Sequence, residues 1–318
     1  MIITKTPVRL SLLGGNTDIR EYFFNYGGLV LATTIDKYIY CNVSKRFDDL
    51  IVINYSEKET VENIDEINHD LVREALKLLE ITKGLEITFL ADIPTKGTGL
   101  GSSSSMLVGL LNALHAYLGE NVGSKQLAEE TIKIELDILG KPIGILDQHI
   151  AAVGGLRAIE FTPLGEVHCQ KVVTDSEEFE KHTMLFYTGI TRKSEDILKT
   201  FNVKKNKVLL DQNKQFANDG IVALLKGDYE KFGKMLDIYW EMKRHLLKKV
   251  TNSEIDKMYK KAKKAGAIGG KIIGAGGGGF LFIVCSPDKR SAIKEALKGY
   301  KEMPFKLSDR GSEVILNI

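Results

Sequence analysis

Little in this chain points to a secreted, membrane-spanning or nucleic-acid-coating protein. Its 318 residues hold only three cysteines, Cys41, Cys169 and Cys285. They lie too far apart for a Cys-x-x-Cys metal site, and any one pair would leave an odd thiol. Reduced thiols in a cytoplasmic protein are the simpler expectation. No apolar run approaches the roughly 20 residues a membrane-crossing helix needs. The chain reaches Lys5 and Arg9 without the apolar stretch of a signal peptide. An excess of one charge is missing too: 44 Lys and Arg face 42 Asp and Glu, with no long basic block. Neither nucleic acid nor an anionic membrane is therefore expected as a partner. The six prolines do not gather into a linker, and no repeat is visible.

What is there suits a folded globular protein. Apolar residues make up 43% and charged residues 27%, the balance of a globular chain, and the length exceeds what one hydrophobic core usually holds. Two closely packed domains are expected, meeting near residues 160–180. Residues 2–13, 29–35, 38–44, 51–55 and 85–90 are rich in β-branched and aromatic side chains and predict strands; 69–80 predicts a helix. Leu107, Leu110, Leu111, Leu114 and Leu118, spaced by three and four, predict a long apolar helix, and a second follows over 124–139. Further on, 184–187, 270–273, 280–285 and 314–316 predict strands, and 206–225, 229–247, 253–265 and 290–297 predict helices. Strands and helices mixed without strict alternation indicate an α+β fold.

Four segments carry chemistry. The loop with Gly97, Gly99, Leu100, Gly101, Ser102, Ser103 and Ser104 opens the apolar helix, so glycine backbone and a helix start could cradle a polyphosphate. It lacks the Gly-Lys-Ser/Thr of a Walker loop, and a serine that merely caps the helix is an equal reading of these residues alone. A second loop, with Gly274, Gly276, Gly277, Gly278 and Gly279, formally contains Gly-x-Gly-x-x-Gly. A strand pattern follows it where a dinucleotide fingerprint would open a helix, which argues against that fingerprint. Such a density of glycine suggests backbone lying against a ligand, or a wide turn. The third segment places Arg9 and Ser11 on a strand, with Asn16 and Asp18 in the turn beyond; simple turn chemistry accounts for it equally. In the fourth, Glu135 and Asp147 could divide the labour of holding Mg²⁺ and orienting an alcohol. Either acid alone reads as a solvated surface group. His149 reads as structural, not as a base.

Together, in this order and spacing, the four segments resemble the GHMP superfamily of galacto-, homoserine, mevalonate and phosphomevalonate kinases, over nearly the whole chain. The serine loop resembles the family's phosphate loop, although Pro94 stands one residue further from Gly99 than the family spacing. The resemblance implies a ribosomal S5 domain 2-like N-terminal domain over 1–170 and a ferredoxin-like C-terminal domain over 171–318. It implies ATP and Mg²⁺, with the nucleotide on Gly97, Gly99, Leu100, Gly101, Ser102, Ser103, Ser104, Gly276 and Gly277, and the metal on Ser103 and Glu135. Asp147 and Arg9 would be catalytic; Asn16, Asp18, Gly144 and Arg192 would meet a sugar or sugar phosphate. Gly15 and Asn16 replace the Glu-His that precedes Thr-Asp in galactokinases, which argues against galactose.

Several stretches resemble the bacterial D-glycero-D-manno-heptose 7-phosphate kinases: Arg9 to Ser11, Asp147 with Gln148, residues 151–155, 187–192, 266–282 and 304–306. That likeness implies transfer to an anomeric hydroxyl. A fucokinase-like anomeric kinase, or a non-catalytic ATP and sugar sensor of the same fold, are the alternatives.

Overall fold

The computed structural model describes residues 1–94, 97–191, 201–247 and 249–318. Arg192, and Thr95 and Lys96 at the entry of the serine loop, lie outside the described residues. The first sheet contains β1 (Ile2–Leu13), β2 (Gly28–Lys45), β3 (Ile51–Asn54), β4 (Lys58–Val61), β5 (Leu85–Ala91), β6 (Leu156–Phe161) and β7 (Val167–Lys171). A second, antiparallel sheet holds β8 (Thr183–Tyr187), β9 (Ala267–Ile272) and β10 (Phe280–Cys285) in the order β8-β10-β9. Strand β11 (Glu313–Asn317) crosses back to pair with β1. The boundary expected near residue 170 thus leaves the last strand on the N-terminal sheet. The helices are α1 (Arg20–Tyr26), α2 (Asp70–Leu78), α3 (Ser102–Tyr117), α4 (Ser124–Ile132), α5 (Leu146–Val153), α6 (Ser176–His182), α7 (Lys207–Leu225), α8 (Tyr229–Leu246), α9 (Ser253–Lys264) and α10 (Arg290–Ala296). Among the described residues no helix is long and apolar enough to cross a membrane.

The two strands expected over 29–35 and 38–44 are one. Opposite Pro7 and Val8 the register slips, with Pro7 facing Tyr38 and Val8 facing Ile35, so Asp36 and Lys37 bulge out of the ladder with β1. A proline cannot donate a ladder hydrogen bond, and a bulge placed there loses least. Beyond the bulge, β2 changes its other neighbour from β6 to β5. A single strand therefore spans the whole sheet.

Burial along β1 alternates at first and then becomes continuous from Thr6 to Leu13. That end is covered on both faces, by α3 on one side and by α7 and α8 on the other. One hydrophobic cluster runs from Val8, Leu10 and Leu12 through Phe232 and Leu236 of α8 to Phe280 and Phe282 of β10. The two halves share a core, which holds their facing loops in fixed register and leaves a cleft between them.

The second helix ends differently from its periodicity. After α4 the backbone widens into a π-helical turn, Lys133–Ile138, that carries Glu135. The extra residue in a π turn rotates the following side chains, a device frequent at functional sites. Here Glu135 is 1% exposed.

Candidate active site

The cleft between the halves has a volume of about 850 Å³ and brings the ends of β1, α3 and α5 together with the β9–β10 loop. Gly101, at φ +72°, precedes the first turn of α3, and no side chain caps that helix. The capping reading of the serines therefore does not hold. Ser104 Oγ donates instead to Glu135 Oε2 at 2.8 Å, Ser103 Oγ reaches Glu135 Oε1 at 3.4 Å, and Ser105 Oγ is used up on the Pro7 carbonyl at 2.9 Å. The first-turn amides of a helix have no partner within it and carry its positive dipole end, so they present donors to an anion.

Across the loop stands Arg9. Its Nε and Nη2 donate to the two carboxylate oxygens of Asp147 at 2.7 and 2.6 Å, and its Nη1 donates to the Gly99 carbonyl. The Arg9 amide donates to the Leu100 carbonyl at 3.0 Å. The fork orients Asp147 in the first turn of α5, where a helix favours an acid.

The glycine loop over 274–279 packs backbone to backbone on the serine loop. A Cβ on Gly99 would come within 2.5 Å of the Ile273 carbonyl oxygen, and one on Gly279 within 2.1 Å of that of Thr98. Only glycine lets these chains approach so closely. Gly274 and Ala275 line the cleft, but Gly276 and Gly277, expected at the nucleotide, do not. Gly276 packs on Val250, whose carbonyl accepts the Gly277 N–H. Gly276, at φ +102°, is required by that contact, and Gly277 by its own φ of +77°. Leu100 is likewise outside the cleft wall, its side chain buried in the core and its carbonyl accepting the Arg9 N–H.

Asn16, Asp18 and Gly144 also line the cleft. Asp18 Oδ2 accepts the Leu146 N–H at 3.1 Å, and a Cβ on Gly144 would fall 1.9 Å from that oxygen. Gly144 thus makes room for the carboxylate. Burial, and then the charge of Asp147, push the Asp18 pKa up to about 6 from its ordinary 3.8. An acid raised on folding contributes stability below about pH 4 that is lost as the pH rises through 6. At pH 8 the ionised form costs the fold on the order of 1–3 kcal/mol. Asp18→Asn should therefore shift the urea midpoint upward at pH 8 and not at pH 4. A variant that is less stable at pH 8 would count against this account.

Glu135 Oε2 also accepts Gln148 Nε2 at 2.7 Å. Burial raises the Glu135 pKa despite the hydrogen bond from Ser104. No group of three or more His, Cys, Asp or Glu gathers in metal-ligand geometry among the described residues. Mg²⁺ takes one or two carboxylates and completes its shell with phosphate and water oxygens. Ser103 and Glu135 supply hard oxygens of that kind. His149 is buried, and burial pushes its pKa down to about 4, so it is neutral and lies outside the cleft wall.

The sequence reading passed over Lys141, Tyr239, Lys243 and Lys271, all in the cleft wall. For Lys271 a signal existed: a lone cation within the glycine-rich apolar run Gly269, Gly270, Ile272, Ile273. Tyr239 and Lys243 sit on an ordinary amphipathic helix with nothing to mark them.

A helix start opened by glycine, facing an arginine-held acid and a second buried acid in an interdomain groove, defines a phosphoryl-transfer cleft. Comparison with known proteins agrees. The GHMP kinases N terminal domain matches residues 69–155 and the GHMP kinases C terminal domain matches 221–302. A D-glycero-alpha-D-manno-heptose 7-phosphate kinase of Campylobacter jejuni is 32% identical, with 93% of each chain covered. A galactokinase of Pyrococcus furiosus is 26% identical over 93% of this chain and 92% of its own. The crystal structure of a D-glycero-D-manno-heptose 1-phosphate kinase from Bacteroides thetaiotaomicron superposes with a TM-score of 0.84 at 27% identity, covering all of both chains. The chain belongs to the GHMP kinase family. It is an ATP-dependent small-molecule kinase of the sugar-kinase kind.

Proposed function

We propose that the cleft transfers the γ-phosphoryl group of ATP to the anomeric hydroxyl of D-glycero-D-manno-heptose 7-phosphate. The observation that carries the mechanism is the Arg9–Asp147 fork at 2.6–2.7 Å, standing where the serine loop meets the Asp18 turn. With Arg9 on both oxygens, the Asp147 carboxylate keeps lone pairs for a hydroxyl hydrogen. It orients the acceptor oxygen for in-line attack and takes its proton. Phosphoryl transfer asks for little nucleophilic activation before a loose transition state, and an anomeric hydroxyl is more acidic than an ordinary alcohol, so positioning dominates. The Arg9 guanidinium offsets charge developing on the transferring group.

The amides of the α3 start and the backbone of Gly97, Gly99 and Gly101 cradle the phosphates, and Asn16 and Asp18 grip sugar hydroxyls. Ser103 and Glu135 would hold Mg²⁺, which when bound neutralises phosphate charge. The heptose acceptor is supported by the 32% identical Campylobacter jejuni relative and by the Bacteroides structure. A panel of plain sugars, heptose and sugar 7-phosphates with Mg-ATP, scored by ADP release with the product read by ³¹P NMR, tests it. A new anomeric phosphate on heptose 7-phosphate is expected. Turnover of other sugars with none of heptose 7-phosphate would overturn the assignment.

A further inference from the structure

Lys271, on β9, is 1% exposed and forms part of the cleft wall beside Ser11 and Tyr239. Its Nζ donates to the carbonyls of Ser11 at 2.8 Å and Leu12 at 3.0 Å, and lies 4.9 Å from the Tyr239 ring centre. An ammonium has three N–H groups, so one remains beyond those two carbonyls. The charges acting on Lys271 are those of Lys243 and Arg9, both of its own sign. Arg9 is matched by Asp147; Lys271 forms no ion pair with a carboxylate among the described residues. Burial, and then Lys243 and Arg9, hold its pKa well below the ordinary lysine value. A buried cation without a counter-charge is costly in an empty site, and the cost is removed when an anion arrives.

We propose that Lys271 is a substrate contact that donates its remaining N–H to a phosphate oxyanion of the ligand bound in this cleft. The inference rests on reading the cleft as the phosphoryl-transfer site. Two sources share that chemistry: the phosphate already on the acceptor sugar, and the terminal phosphate of the nucleotide. The carbonyls of Ser11 and Leu12 fix the ammonium from behind, and the Tyr239 ring shields it from water. The nitrogen is thus held in place, an arriving phosphate favours its charged form, and a phosphate-bearing ligand gains more from it than a neutral sugar does.

Lys271→Met removes the charge and keeps the length. Dissociation constants are measured by calorimetry for heptose 7-phosphate, plain heptose and a non-hydrolysable ATP analogue with Mg²⁺. A loss of about ten- to a hundredfold is expected for a phosphate-bearing ligand and little change for plain heptose. Loss with the sugar phosphate alone assigns the contact to the acceptor, and loss with the analogue alone assigns it to the nucleotide. Equal losses for all three, or none, overturn the proposal and leave Lys271 a tie between β1 and β9. The unaltered chain gives a second measurement that needs no variant. In a crystal with heptose 7-phosphate and the analogue, a phosphate oxygen should lie within about 3.2 Å of Nζ; no phosphate oxygen in reach of it overturns the contact. ADP release by the unaltered chain is assayed beside these. No release from any sugar sinks the functional reading, whereas release with unchanged Lys271→Met affinities sinks only this contact.

Discussion

Asp147→Asn should lower kcat by at least about a hundredfold and leave ATP affinity nearly unchanged. The substitution keeps the shape of the side chain but turns one acceptor of the Arg9 fork into a donor, so one of the two bonds now at 2.6 and 2.7 Å is lost. It also removes the negative charge that, in the proposed mechanism, takes the hydroxyl proton. Nucleotide binding has separate support: Arg9 holds the Gly99 carbonyl through Nη1, and its amide holds Leu100. The phosphate loop therefore keeps its place when Asp147 changes. Steady-state kinetics with heptose 7-phosphate, beside calorimetry with an ATP analogue, separate the two effects. Turnover within a few-fold of the unaltered chain would remove Asp147 from the chemistry.

Glu135→Gln should act through the metal. An amide at this position can keep its oxygen toward Ser104 and Gln148, which now donate to Oε2 at 2.8 and 2.7 Å, so the π turn has no reason to rearrange. The charge is what disappears. The Mg²⁺ concentration for half-maximal rate should rise at least about tenfold, the worth of one charged contact, and kcat at saturating Mg²⁺ should also fall. Since burial already raises the pKa of Glu135, the melting temperature at neutral pH should hold or rise. An unchanged Mg²⁺ dependence with full activity would place the metal elsewhere, and a large drop in melting temperature would make Glu135 structural.

Much of the frame was legible because local patterns coincide with burial. Residues 2–13 read as a strand and form β1; the leucines from Leu107 to Leu114 read as a buried helix side and lie in the core of α3. The elements β4, β6, β7 and α1 are broken by charged or polar residues, whereas β3, only four residues long, shows as Ile51, Val52 and Ile53. The break read between 35 and 38 was a bulge set by Pro7 on the neighbouring strand, and a strand's own sequence does not announce its neighbour. The π turn at Glu135 was hidden for a like reason, since its residues keep a helical composition.

At the site, glycine density marked both loops but did not say what the glycines were for. Gly99 is required by the backbone of Ile273, Gly279 by that of Thr98, and Gly276 by Val250.

The residue types and their order set out the chemistry on offer, a glycine-opened serine loop, an arginine, two acids and a turn aspartate, and the resemblance of these segments to the GHMP kinases implied the class of reaction. Only the tertiary structure decided which of them act together. Pairings such as Arg9 with Asp147, Ser104 with Glu135, and Lys271 with the Ser11 carbonyl join positions 138, 31 and 260 residues apart. Contacts of that kind arise when a shared core draws strand and helix ends to one cleft, and no local pattern encodes the distance between them.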